Sequence, residues 1–254
     1  MGKNQFPLCI VTKPCRDYNV GKGDFQQMQT AKTQKPKLYL VRHAQSTNNA
    51  YPEPQRIPDP PLTDLGKQQA LALAKFAPQI DATDLLTSPF LRTLQTTEPI
   101  VHTTGLVPVI HAELFEQGGC YRGYDPIGKH PEPGLRRSEI AEHFPGWHID
   151  PAIDEQGWNK LTHYETIAMA RARAKRVALW LREQFQDTTA RVLVIIHADF
   201  KLRLLEALLQ RDDLEASLGS VINTSFSSLS LESNSWQLDT WNNHQHLPTD
   251  WITS

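Results

Sequence analysis

Along most of this chain, short apolar runs alternate with longer amphipathic stretches. Leu38–Val41 is a compact apolar run of the kind that forms a buried strand. "LTDLGKQQALALAKFA" then places Leu65, Ala70, Leu73 and Phe76 at helical spacing, with Thr63 as the N-cap. "DLLTS" (84–88) reads as a second strand. In "SPFLRTLQTTEPIVHTTG" the pattern predicts a helix capped by Ser88, with Pro89 at its first position and Gly105 past its end. "LVPVI" is a third short strand. From Gln117 to about Leu161 only a short helix at 136–144 stands out among prolines and glycines. Thr162–Glu165 has the spacing of a capping box that opens a long amphipathic helix reaching about Phe185. "RVLVIIH" (191–197) is the strongest strand signal, "DFKLRLLEALLQ" reads as a helix, and "FSSLSLES" with "SWQLDTW" reads as a closing hairpin.

Strands alternating with helices predict a mainly parallel sheet covered on both faces. Ligands of such sheets bind beyond the carboxyl ends of the strands. Three polar signals fall at those ends: Arg42-His43, the Ser88–Arg92 turn, and His197. Two adjacent groups that can both carry positive charge repel each other. An anion between them, or a neutral histidine, removes that cost.

The chain has 254 residues, a formal charge of −2 and 39% hydrophobic content, enough for one large α/β domain or two small ones. The absence of a long basic run argues against nucleic acid as a partner. No apolar run approaches the roughly 20 residues that span a bilayer, and no secretory h-region is seen, so no membrane partner and a cytoplasmic location are expected. Cys9, Cys15 and Cys120 have neither disulfide nor zinc spacing. Asn223-Thr224-Ser225 is a formal glycosylation sequon, read here as chance. Residues 1–35, rich in Gln and Lys without periodicity, read as a mobile extension ahead of a domain spanning 36–254. "PEPQRIPDPP" reads as a stiff loop, with an interaction motif the less favoured alternative.

Taken in order, "LVRHAQSTNN", "LTDLGKQQA", "TSPFLRTLQT", "LFEQGG" and "VIIHADFKLRLL" resemble the histidine phosphatase superfamily, which includes the cofactor-dependent phosphoglycerate mutases. The resemblance covers roughly residues 37 to 247 and is weakest over 117–162. It implies a three-layer α/β/α sandwich with a mainly parallel sheet and an inserted cap at about 117–162. It also implies that His43 is the nucleophile, becoming a phosphohistidine, while Arg42, Arg92 and His197 bind the transferring phosphoryl group. Guanidinium forks suit this task because they hold paired oxygens and never lose their proton. Ser46 and Asn49 match positions that add hydrogen bonds to the same oxygens, and each reads equally well as a helix cap. Glu116 is expected as the proton donor, with Glu113 and Asp199 as alternatives.

Two departures stand out: Ala44 and Ala198 occupy positions where glycine is usual, and the backbone N–H groups of both remain able to point at the phosphate, with Ala198 expected among the substrate contacts. The segment after His43 lacks the tryptophan of the mutases, and the surroundings of Arg136-Arg137 do not resemble their insert. The expected reaction is therefore hydrolysis of a small phosphorylated metabolite, with mutase-type transfer or a non-catalytic binding module as alternatives. In the cap, Arg122 and Arg136 are the candidate substrate contacts. No metal and no cofactor are expected.

Overall fold

The computed structural model describes residues 35–123 and 128–254. The expected N-terminal extension lies outside the described residues, apart from Lys35. In chain order the elements are β1 (Lys37–Arg42), α1 (Thr47–Ala50), α2 (Asp64–Phe76), β2 (Asp84–Thr87), α3 (Leu91–Thr104), β3 (Val109–Ile110), β4 (Tyr121–Arg122), β5 (His130–Pro131), α4 (Arg137–His143), β6 (His148–Ile149), α5 (Ile167–Phe185), β7 (Arg191–Ile196), α6 (Ala198–Leu209), α7 (Glu215–Leu218), β8 (Phe226–Glu232) and β9 (Ser235–Asn243). The main sheet has seven strands in the order β6-β3-β2-β7-β1-β8-β9. Its first five run parallel, and β8 and β9 are antiparallel.

Alternation along the two central strands sends side chains to opposite faces. Leu38, Leu40, Val192, Val194 and Ile196 pack with α5 and α6 residues such as Val177 and Leu204. Val41, Leu193 and Ile195 pack with Leu73 of α2 and Ile100 of α3 on the other side. The result is the expected three-layer sandwich. The hairpin turns through Ser233 and Asn234, both at positive φ (44° and 69°), as a type I′ turn requires.

Two helix starts differ from the sequence expectation. α3 begins at Leu91 rather than Pro89, because Ser88 is drawn away to His197 and Asp59 Oδ1 takes the Leu91 N–H instead, at 2.9 Å. α5 begins at Ile167 with Thr166 as its cap, not at Thr162. Glu165 is not free to close a capping box, since both its oxygens pair with Arg173 at 2.8 and 2.6 Å. Within 117–162, β4 and β5 form a separate two-residue ladder, while β6 joins the main sheet. α4 forms close to where the pattern placed it.

Candidate active site

Three neighbouring strands deliver the polar groups. β1 and β7 pair with Arg42 opposite Ile196, so the residues that follow, His43 and His197, emerge side by side. Their ring centroids are 5.1 Å apart, edge to face. Ser88 follows β2, and its hydroxyl lies 2.7 Å from His197 Nε2. Arg92 comes from the first turn of α3, where its guanidinium stacks 3.9 Å over the Phe90 ring. A cation at that end of a helix opposes the helix dipole, a local cost that marks the position as built for something else.

The protonation of His43 follows from its partners. Nδ1 lies 2.7 Å from the carbonyl of Ala44, which can only accept, so Nδ1 carries the proton. Nε2 then holds a lone pair, and Arg92 Nε donates to it at 3.1 Å. Both imidazoles are held neutral, their pKa values pushed well below the ordinary histidine range, first by burial and then by Arg92. Burial also lowers Arg42 to about 10. Two buried nitrogens here, Arg42 Nε and His197 Nδ1, have no hydrogen-bond partner among the described residues. Unpartnered buried polar atoms of this kind are rare and mark places where a ligand can complete the bonding.

Arg42 and Arg92 line a cavity of about 260 Å³ together with Asn49, Glu116, Tyr121, Tyr164 and Asp199, whereas His43 and His197 are buried and are not themselves among its lining residues. Glu116 reaches it through a fixed turn. Arg173, buried on the inner stripe of α5, donates to the carbonyls of Glu113 and Phe115 at 2.7 and 2.9 Å and so holds the segment that presents Glu116. Glu116 Oε1 accepts the N–H groups of Gln117 and Phe200 at 2.8 and 2.9 Å, whereas Oε2 has only the Asp199 N–H at 3.4 Å. With two donors on Oε1, a proton on this carboxyl belongs on Oε2. Burial, then the neighbouring Asp199 carboxylate, raises its pKa to about 7.

The remaining expected residues separate. Asn49 and Ala198 line the cavity. Ser46 is buried and points its hydroxyl to Asn49 Oδ1 at 3.0 Å, and it is absent from the cavity lining. Glu113 lies outside the cavity, paired with Arg176 at 2.5 Å. Asp199 sits at the cavity rim. Arg122 pairs with Glu132 at 2.6 Å and Arg136 with Glu139 at 2.8 Å, and neither lines the cavity.

The profile of the histidine phosphatase superfamily (branch 1) matches residues 38–244. The chain belongs to the histidine phosphatase superfamily. Among curated proteins it is 35% identical over 105 residues to a probable phosphoglycerate mutase GpmB of Cronobacter sakazakii, a match covering 41% of this chain and 49% of that protein's length. The chain thus spans about half the length of that relative. Among solved structures it is similar to mycobacterial glucosyl-3-phosphoglycerate phosphatase (25% identity, TM-score 0.54, covering 81% of this chain and 98% of the other). It is also similar in fold to a phosphoserine phosphatase variant from Entamoeba histolytica in complex with phosphoserine (18% identity, TM-score 0.57, covering 84% and 100%).

Both departures from the superfamily's usual glycines are accommodated. Ala44 does not adopt a positive φ, and its methyl packs against Leu62 and Ala70. Its N–H is committed to Thr96 Oγ1 at 3.1 Å, so it is not aimed at a phosphate as the sequence alone allowed. Ala198 is the first residue of α6 and also avoids positive φ. Sequence reasoning missed Asp59, Arg173 and Asn223. An arginine in the buried stripe of α5, between Ala170 and Val177, was a readable signal for Arg173. Nothing in the sequence beyond the formal sequon singles out Asn223, whose buried side chain donates to the His43 carbonyl at 2.9 Å. Among the described residues no helix is long and apolar enough to cross a membrane, and no cluster of His, Cys, Asp or Glu suits a metal ion.

Proposed function

We propose that the protein is a phosphomonoesterase that hydrolyses a small phosphorylated metabolite through a phosphohistidine on His43. The observation that carries this reading is the bond between Arg92 Nε and His43 Nε2, which marks a neutral nucleophile facing a buried cation. A phosphoryl oxygen entering the cavity competes for Arg92 and frees the Nε2 lone pair. Nε2 attacks phosphorus while the bond to the leaving oxygen breaks, and Glu116 gives that oxygen its proton from Oε2. Arg42, Arg92 and His197 stabilise the charge on the transferring group. The ionised Glu116 then takes a proton from a water that attacks the phosphohistidine, releasing phosphate and restoring both residues. The positive charge comes from side chains, so no metal is needed.

Mutase-type transfer, suggested by the name of the bacterial relative, differs only in returning the phosphoryl group to a bound acceptor. The arginine pair that such a reading would use is committed elsewhere. Arg137 donates to the carbonyls of Ile149, Asp150 and Ile153, and Arg136 is paired with Glu139. The deciding test is a panel of phosphorylated metabolites, assayed for released phosphate and for phosphoglycerate isomers, with and without a chelator. Phosphate release that a chelator leaves intact is expected. Isomer formation without phosphate release, or loss of activity restored by a divalent metal, overturns the reading.

A further inference from the structure

The peptides on either side of Ala44 are clamped by groups far away in sequence. The His43 carbonyl accepts from Asn223 Nδ2 at 2.9 Å and from the Thr224 N–H at 3.4 Å, while the Ala44 N–H donates to Thr96. In the next peptide, the Gln45 N–H donates to Gln69 Oε1 at 2.8 Å, and the Ala44 carbonyl is the one that holds the His43 Nδ1 proton. Thr253 joins the two clamps. Its hydroxyl donates to Asn223 Oδ1 at 3.0 Å and accepts from Gln69 Nε2 at 2.9 Å. Its carbonyl accepts the Asn223 N–H at 2.8 Å.

Every polar atom of the Asn223 and Gln69 amides is used, and both side chains are fully buried. The corner also carries strain, because Thr224 adopts a φ of 56°, which is unusual for a β-branched residue. Strain of this kind persists where the surroundings over-determine it, often at functional sites. Here the left-handed turn aims the Thr224 N–H at the Arg42 and His43 carbonyls, at 3.1 and 3.4 Å.

We infer that Asn223, Gln69 and Thr253 are positioning residues that together fix the two peptides flanking Ala44, Asn223 holding the first, Gln69 the second and Thr253 linking the pair, and thereby the tautomer and ring direction of His43. This rests on the reading of His43 as nucleophile. None of the three lines the cavity, so they act through the backbone rather than on substrate. A carbonyl held in place keeps the proton on Nδ1 and the lone pair on Nε2. If it shifts, the tautomers mix and the attacking nitrogen swings off line.

The test compares Thr253→Val, which removes the bridging hydroxyl at nearly constant shape, with Thr253→Ser, which restores it. Rapid-quench labelling from a reactive phosphoryl donor reads phosphohistidine formation, and ¹⁵N shifts of the His43 imidazole read its tautomer. Thr253→Val should label roughly 10- to 100-fold more slowly, the loss expected from slight misplacement of a reacting group. Its KM should stay within about twofold of the wild type, since substrate contacts are intact. Its imidazole should show mixed tautomers, and Thr253→Ser should match the wild type in both readouts. Gln69→Met serves as the second variant if Thr253→Val does not fold, with the same expectation. A folded variant with a lower Tm but unchanged labelling and tautomer overturns the positioning role alone. A wild-type protein that takes no label overturns the nucleophile reading on which it rests.

Discussion

Arg92 Nε lies 3.1 Å from His43 Nε2, so in the free protein the cation occupies the lone pair that would attack phosphorus. Arg92 is 8% exposed and makes its stacking contact with Phe90 in the same pose. Burial lowers its pKa from the ordinary arginine value, and the nearby Asp59 carboxylate counteracts this. Arg92→Ala should weaken vanadate binding by about 10²–10³-fold, the range measured when one preorganised charge-stabilising donor is removed. Calorimetric titration checks this, and unchanged affinity would place the anion elsewhere.

In the proposed mechanism the proton chemistry falls to Glu116. Glu116→Gln should slow turnover of esters with poor leaving groups by roughly 10²–10⁴-fold and that of p-nitrophenyl phosphate much less, because a good leaving group needs no acid. The pH dependence follows from the same carboxyl. With its pKa raised to about 7, the acid form is lost as pH rises through 7, so phosphoenzyme formation from alkyl esters should fall there. The stability contribution has the same sign. Folding favours the protonated form, so the contribution is full below the unfolded carboxyl pKa and is lost as pH rises to about 7. His43, pushed well below 6.5, remains uncharged on the acid side of this window, as the proposed attack on phosphorus requires. Stopped-flow rates against pH for both ester classes, in wild type and variant, provide the measurement.

Gly66 tests the scaffold under the loop that follows His43. A Cβ there would sit 2.0 Å from the Gln45 carbonyl oxygen, and backbone cannot yield as a flexible side chain does. Gly66→Ala should therefore displace residues 44–46. It should lower Tm by several degrees, as a loss of about 1–2 kcal/mol would, and slow labelling of His43. Thermal melts alongside labelling rates check it, and a variant as stable and fast as wild type contradicts the packing described.

The layered fold was readable because buried strands and amphipathic helices leave distinct periods, and the ends of β1, β2 and β7 carry the unusual groups. Arg42, His43 and His197 meet at one place for that reason, and Arg92 of α3 and Glu116 from the turn after β3 approach the same place. What could not be read was set by tertiary partners. Ser88 and Glu165 have the local chemistry of caps, but His197 and Arg173 claim them, so α3 and α5 start later. The two-residue strands β4 to β6 are too short for a period to show. Asn223 and Thr253 look ordinary in sequence, because Asn223 is defined by a carbonyl 180 positions away and Thr253 by its bonds to Asn223 and to Gln69, 184 positions away.

Exposure of the purified protein to a reactive phosphoryl donor, followed by acid and base treatment and peptide mapping, tests the phosphohistidine most directly. One acid-labile, base-stable label on His43, absent from His43→Ala, is the result expected here. An acid-stable label, a label on another residue, or none at all would contradict it.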